Sequence, residues 1–200
     1  MLAAVCCIAL GYLLGSSSMS HYLSAWKKVD MRARGSGNLG ASNALITMGW
    51  PAAVAVAVHD IGKSFLAVLL AKILFPGFAL AGVLAGVASV FGHIFPFYLK
   101  FKGGKGFASY LGMTIALDWK FAIGLLIAVV VITVVTDYIA LATTATILVV
   151  PVWMGIAAHS LGIALVLLTA TSVILWKHRE NYVRLARGTE IGLRSAAKKK

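Results

Sequence analysis

The sequence predicts an all-α polytopic membrane protein. Of its 200 residues 60% are hydrophobic and only 12% charged, the mean hydropathy is +0.93, and the apolar residues come in long runs separated by short basic stretches. So few polar residues could not solvate a globule of this size. The net charge of +12 sits between and after the apolar runs. That is the pattern of cytoplasmic loops in membrane proteins rather than of a nucleic-acid surface, so nucleic acid is not expected as a partner. Cys6 and Cys7 are adjacent in an apolar run, too close for an easy disulfide and without the companions of a metal site. The first apolar run continues past the length of a signal-peptide core and further runs follow, so no cleavable leader is expected.

A spanning helix needs about 20 apolar residues, somewhat fewer where the bilayer thins. Seven segments qualify, at 2–22, 50–75, 78–98, 106–117, 121–136, 138–158 and 161–177, and residues 1–200 are expected to form a single membrane domain. The fourth and fifth segments share one apolar stretch broken only by Asp118, Trp119 and Lys120. Parity argues that both cross. Lys27, Lys28, Arg32, Arg34, Lys100, Lys102, Lys105 and the basic tail then lie on one side, leaving Lys120 as the only loop base opposite. The positive-inside rule makes that side cytoplasmic, with an external amino terminus and a cytoplasmic carboxyl terminus.

Gly11 and Gly15, and Gly82 and Gly86, provide small-residue faces for close helix packing. Pro51 starts or kinks the second span, and Pro96 bends the third near its cytoplasmic end. His59, Asp60 and Lys63 place ionisable groups inside an apolar run, where charge is costly and faces the bundle interior. Asp60 and Lys63 share a helix face, either as a neutralised pair fixing helix positions or as a substrate contact. His21 and His159 fall at span ends and require no function.

Three cytoplasmic stretches carry the chemistry. The first, RGSGNLGASNA from Arg34 to Ala44, contains a GxGxxG at Gly35, Gly37 and Gly40, but no strand precedes it and no βαβ unit follows, so it is not a dinucleotide fingerprint. Helix capping accounts for Ser42 or Asn43. Ser36 and Asn38 lie further back, among glycines that free the backbone to meet a ligand. The second, GHIFPFYLKFKGGKGFA from Gly92 to Ala108, brings Gly103, Gly104 and Gly106 together with Lys105. Its N–H groups, the first turn of a helix from Phe107 and the lysine charge outline a phosphate site. The third, WKHRENYVRLARGTE from Trp176 to Glu190, reads as a continuation of the last span. His178, Asn181, Tyr182 and Leu185 share a face there, and Gly188 is the C′ residue. The three stretches are expected at one membrane face, forming a site for a phosphorylated substrate beside the lipid.

GSGNLGASNA, GHIFPFYLKFKGGKGFA and HRENYVRLARGTE resemble, in order and spacing, the three cytoplasmic motifs of the PlsY family, the bacterial acyl-phosphate:glycerol-3-phosphate acyltransferases. The resemblance extends to the DxxK pattern at Asp60 and Lys63 and to the seven-helix layout. It implies transfer of a fatty acyl group from acyl phosphate to the 1-hydroxyl of glycerol 3-phosphate at the cytoplasmic face of the inner membrane. The products are lysophosphatidic acid, which enters phospholipid synthesis, and phosphate, with no cofactor or metal required. Residue by residue, the resemblance marks Ser36, His178 and Asn181 as catalytic. Gly35, Gly37, Asn38, Lys102, Gly103, Gly104, Lys105, Gly106 and Thr143 become substrate-binding residues. Asp60, Lys63 and Glu180 become structural, with Glu190 the other match for the glutamate of the third motif. One departure stands out: where the family carries an arginine after the first-motif asparagine, this sequence has Ile46.

The HxxxxD motif of other glycerolipid acyltransferases is absent. The residues five positions after His21, His59, His93, His159 and His178 are Trp26, Ser64, Tyr98, Ala164 and Val183. The competing reading is a non-catalytic or transport paralogue that binds a phosphorylated lipid precursor. Against it, no paired discontinuous segments or inverted halves are visible.

Overall fold

The computed structural model describes residues 1–192, and Arg194 and Lys198 to Lys200 of the basic tail lie outside that range. Every regular element is helical. The chain divides into two compact units, the first ending at Leu117 and the second beginning at Asp118.

The first unit contains α1 (Leu2–Ser16), α2 (Met19–Lys27), α3 (Ala41–Met48), α4 (Trp50–Leu74), α5 (Ala81–Ile94) and α6 (Phe107–Leu117). Helix α5 is its centre, being the most deeply buried of the long apolar helices. Small residues make that centre possible. Gly11 and Gly15 of α1 lie against the backbones of Ala85 and Ser89, and Gly92 of α5 lies against Tyr12 to Ser16 in return. A methyl group at Gly11 or Gly15 would overlap main-chain atoms, which cannot rotate away, so overpacking of at least ~1–3 kcal/mol is expected. The second expected face divides between two partners: Gly82 meets Lys72 and Val68 of α4, whereas Gly86 meets Met113 of α6 as well as Val68. Helix α6 approaches α4 through Gly112, which rests on the Ile61 backbone. The Ser109 hydroxyl donates to Asp60 O at 3.2 Å. Lys72 Nζ donates to Ala116 O at 2.8 Å, satisfying a carbonyl at the α6 carboxyl end.

Three boundaries depart from expectation. The first apolar run is not one helix, because it breaks at Ser17 between α1 and α2, and Ser18 caps α2. The break frees Ser17 O for a partner on α4. The first loop, in turn, ends in a separate helix, α3, and Gly49 at φ 90° makes the joint to α4. Pro51 starts α4 within its first turn. Pro96 follows the end of α5 and opens a 3-10 turn at Phe97–Leu99 rather than bending a continuous helix.

The second unit contains α7 (Trp119–Thr136), α8 (Ile139–Ala157) and α9 (Leu161–Ala186). Asp118 caps α7, accepting from Phe121 N at 3.0 Å, so the polar interruption is a helix boundary. Thr171 Oγ1 donates to Ile147 O at 2.9 Å, and Thr144 and Tyr182 share a 2.8 Å hydrogen bond, both joining α8 to α9. Helix α9 ends in a Schellman motif: Gly188 adopts φ 67°, Gly188 N donates to Leu185 O and Thr189 N to Arg184 O.

Among the described residues six helical segments are long and apolar enough to cross a membrane: Leu2–Lys27, Trp50–Leu74, Ala81–Leu99, Trp119–Thr136, Ile139–Ala157 and Leu161–Ala186. The fourth predicted segment is α6, of 11 residues. At 1.5 Å per residue it spans about 16 Å, roughly half the ~30 Å hydrocarbon core.

Candidate active site

The first loop is built around Asn43, which is fully buried. Its Nδ2 donates to Met31 O at 2.8 Å and Asn38 O at 2.9 Å, with Arg34 O at 3.2 Å sharing a proton, and its Oδ1 accepts from Ser36 N at 2.9 Å. Asn43 is therefore the hub of the loop and does not cap α3, whose start at Gly40 has no side-chain cap. Gly35 (φ 58°) and Gly37 (φ 70°) take the left-handed conformation that winds the chain around the hub. A Cβ on Gly35 would strike Asn43 Oδ1. Ser36 is consequently held at an exposed turn, its N–H tethered and its hydroxyl without a hydrogen-bond partner among the described residues. Asn38 is half-buried and its carbonyl belongs to the hub. Ile46 stands one turn along α3 from Asn43, with Cγ2 3.2 Å from where a Gly35 Cβ would be. Position 46 therefore borders the Ser36 turn.

The second loop differs from the sequence expectation in one respect. The N–H groups of Gly103 and Gly104 do not point at a ligand: they donate to Ile94 O at 3.0 Å and His93 O at 3.2 Å, closing the carboxyl end of α5. The two glycines are required on the inner side, where a Cβ on Gly103 would meet His93 O and one on Gly104 would meet the His93 ring. The donors open to an anion are shifted onward to α6. Gly106 (φ 95°) supplies the carbonyl for the first helical bond, from Tyr110 N at 2.9 Å. That leaves the N–H groups of Phe107, Ala108 and Ser109 without partners inside the helix. Lys105 stands two residues before Phe107, so positive side-chain charge lies close in sequence to the positive end of the helix dipole. Lys102 is exposed, and its carbonyl accepts from Arg32 Nη2 at 2.6 Å, which ties the first loop to the second.

Beneath these loops lies the ionisable cluster of α4. Asp60 and Lys63 pair at 2.8 Å with side chains 4% and 5% exposed. Lys63 Nζ also reaches Ser17 O at 2.7 Å, at the break between α1 and α2, and His93 Nδ1 at 2.9 Å. His59 Nδ1 approaches Asp60 at 3.4 Å while its Nε2 meets Ser17 Oγ at 2.9 Å. Lys63 thus links α4 to the end of α1 and to α5.

In the second unit His178 and Asn181 are both buried on α9. His178 Nδ1 donates to Ile174 O at 2.9 Å, so in the neutral ring the basic lone pair is on Nε2. Asn181 Nδ2 donates to Glu190 Oε1 at 2.6 Å, and the other oxygen of Glu190 receives Arg184 Nε at 2.6 Å. The Schellman turn at Gly188 folds Glu190 back onto the helix. Of the two glutamates matched to the third motif, Glu190 is the one that bridges Asn181 and Arg184. Glu180 is 69% exposed, with only a 4.0 Å contact to Arg179. Thr143 is buried and donates to Ile139 O at 2.9 Å, leaving only its lone pairs for any ligand. Among the described residues no group of three His, Cys, Asp or Glu side chains could hold a metal ion.

Sequence reasoning passed over Asn43, His93, Arg32 and the bridging of Glu190. His93 was open to discovery, since the rule that singles out ionisable residues inside an apolar run applies to it as much as to Asp60. Asn43 was hidden because a capping role explained it adequately.

A sequence model of the glycerol-3-phosphate acyltransferase family matches residues 5–188. A glycerol-3-phosphate acyltransferase of Parasynechococcus marenigrum is 39% identical over 197 residues, covering 95% of this chain and 90% of that protein. Two crystal structures of PlsY, an integral membrane glycerol 3-phosphate acyltransferase, superpose closely. The glycerol 3-phosphate form has a TM-score of 0.88 at 31% identity and the lysophosphatidic acid form 0.85 at 30%, each covering 94% of both chains. Motifs, fold and coverage agree along almost the full length, and the chain belongs to the glycerol-3-phosphate acyltransferase family.

Proposed function

We propose that the protein transfers an acyl group from acyl phosphate to the 1-hydroxyl of glycerol 3-phosphate, giving lysophosphatidic acid and inorganic phosphate. The observation that carries this reading is the family match across residues 5–188, which takes in the first two motifs and the third as far as Gly188. In the reaction the acceptor oxygen attacks the acyl carbonyl and a new C–O ester bond forms. The bond from the acyl carbon to the phosphate oxygen breaks, and phosphate leaves with the electron pair. The hydroxyl proton passes to Nε2 of His178, whose ring is oriented by the Ile174 carbonyl. Glu190 holds Asn181 beside that histidine on α9.

In the first unit Lys105, Gly106 and the first turn of α6 hold the phosphate of glycerol 3-phosphate, with Lys102 and Gly103 and Gly104 shaping the loop. Ser36, flanked by Gly35, Gly37 and Asn38, binds the acyl phosphate and the oxyanion that develops at its carbonyl. Holding two anions together needs the cations of the loops to offset their repulsion, and that positioning is the main catalytic contribution, because acyl phosphate is already activated.

The chain works as one acyltransferase of the bacterial inner membrane, with seven crossings in which α6 is a short span, and with the loop bases and the carboxyl terminus in the cytoplasm. The acyl chain lies among membrane lipids. Purified protein in detergent should release phosphate only when acyl phosphate and glycerol 3-phosphate are both present. Absence of release, or uptake into vesicles independent of an acceptor, would overturn the assignment.

A further inference from the structure

We propose that His93 is a positioning residue of the glycine loop: its imidazole, fixed by the buried Lys63 and Asp60, is the seat that sets where the loop presents Lys105 and the start of α6. This rests on the proposed function of that loop. The argument begins with proton counting. A lysine ammonium has three N–H donors and no acceptor. Lys63 Nζ has three neighbours at bonding distance: Asp60 Oδ1 at 2.8 Å, Ser17 O at 2.7 Å and His93 Nδ1 at 2.9 Å. Nδ1 also lies 3.3 Å from Asp60 Oδ1, but the nearer group is Lys63 Nζ, which can only donate, so Nδ1 keeps its lone pair and the neutral ring carries its proton on Nε2. Charge balance keeps the ring neutral. Asp60 and Lys63 already neutralise each other, and a protonated His93 would add an uncompensated buried charge and direct an N–H at the ammonium.

The other edge of the ring faces the loop. His93 is 7% exposed, and Nε2 has no hydrogen-bond partner among the described residues. A Cβ on Gly104 would run into Nε2, would stand 2.8 Å from Cε1, and would lie 3.0 Å from Leu39 O of the first loop. The imidazole edge therefore occupies the space that a side chain at position 104 would need. The same residue's carbonyl accepts from Gly104 N at 3.2 Å, so His93 holds Gly104 by both main chain and ring. One residue later the chain presents Lys105, and two residues after that α6 begins. A shift of the Gly104 seat consequently moves the anion donors as a group, whereas the acyl phosphate contacts assigned to Ser36 belong to another loop.

Two substitutions and their combination test this. His93→Asn keeps an acceptor for Lys63 but withdraws the ring edge from Gly104, and Gly104→Ala pushes a methyl group into the ring. Each single variant should raise the KM for glycerol 3-phosphate about tenfold, the size of one charge-assisted contact, with kcat and the KM for acyl phosphate changed less than about twofold. In the double variant the shorter Asn leaves room for the methyl group, so the two effects should fall well short of additive. Full additivity, or an unchanged KM in His93→Asn, would overturn the proposal. If His93→Asn does not fold, His93→Gln serves in the same cycle. Histidine nitrogen NMR on the unmodified protein should show His93 with Nε2 protonated and Nδ1 bare, and the opposite tautomer would refute it without any variant. Calorimetric binding of glycerol 3-phosphate, with no acyl phosphate present, repeats the cycle independently of turnover. Intact coupling there with no acyl transfer would sink the functional reading alone, and absence of binding by the unmodified protein would sink both.

Discussion

Replacing Asn43 by alanine is the sharpest available test of how the first loop is built. The amide has two donor protons and places three carbonyls around them, at 2.8, 2.9 and 3.2 Å, while its oxygen takes the Ser36 N–H at 2.9 Å. With the longest contact counted as a shared one, three full hydrogen bonds are lost, at roughly 1 kcal/mol each. Met31 is completely buried, so its carbonyl is not rescued by water as the exposed loop groups are. The sum is about 3 kcal/mol, or roughly a hundredfold in the equilibrium between ordered and open loop. The loss is local, because none of the four partners lies in a helix of the α1, α4 and α5 packing. Hydrogen exchange of the Ser36 amide should accelerate by about that factor and kcat/KM should fall by one to two orders of magnitude, with the thermal unfolding midpoint shifting little. Asn43→Asp separates the hub from mere size. It retains the acceptor for Ser36 but turns a carboxylate toward three carbonyl oxygens, so it should be no better than alanine. Wild-type exchange in Asn43→Ala, or wild-type activity in Asn43→Asp, would refute the reasoning.

Four further outcomes are expected. His178→Ala should reduce kcat by about two to four orders of magnitude if Nε2 takes the acceptor proton, with folding checked by circular dichroism. Near-normal turnover would remove the histidine from the mechanism. Glu190→Ala should lower the thermal midpoint and the activity together, by releasing Asn181 and Arg184, whereas Glu180→Ala, at an exposed position, should stay within about 0.5 kcal/mol of wild type in chemical denaturation. Ile46→Arg places a guanidinium beside the Ser36 turn and should raise kcat/KM up to about tenfold through a charge-assisted contact worth ~1.5 kcal/mol. Asp118→Ala should cost about 1 kcal/mol by removing the α7 cap. The Phe121 N–H holds the Asp118 carboxyl below its ordinary range, so the capping contribution is complete above that range and fades as pH falls through the lower folded value. A pH series of unfolding midpoints on both proteins should converge in acid.

Much of this architecture was legible because it depends on local rules. Asp118 breaks an apolar run and is a good cap, Gly188 stops a helix that would otherwise continue, and Gly11 and Gly15 make a flat face. Each acts within a turn or two of its own position. What escaped was set by partners far along the chain. Ser18 offers a local cap for α2, but the carbonyl freed at Ser17 finds its partner in Lys63, 46 residues away. The third motif has two glutamates, and only the chain reversal at Gly188 distinguishes the one that bridges Asn181 and Arg184 from the one facing outward. Asn43 looked like a cap because a cap and a loop hub call for the same residue type.

The glycines of the second loop do a different job from the one their sequence suggests. A GGKG stretch invites the picture of bare N–H groups converging on phosphate, yet Gly103 and Gly104 turn theirs inward to the carbonyls of Ile94 and His93. The next three N–H groups, on α6, have no partner inside that helix. This division is physically sensible. An α-helix ending inside an apolar bundle must satisfy its last carbonyls, and a helix starting a few residues later must satisfy its first N–H groups. Chain between the two ends can serve only one of them without help. By closing α5 with loop donors, the protein leaves the N–H groups of the first turn of α6 without partners inside the helix, where a phosphate rather than water can complete them. The glycines make this possible by fitting under Pro96 and the His93 ring, so alanine at either position should weaken glycerol 3-phosphate binding without removing a single donor from the ligand.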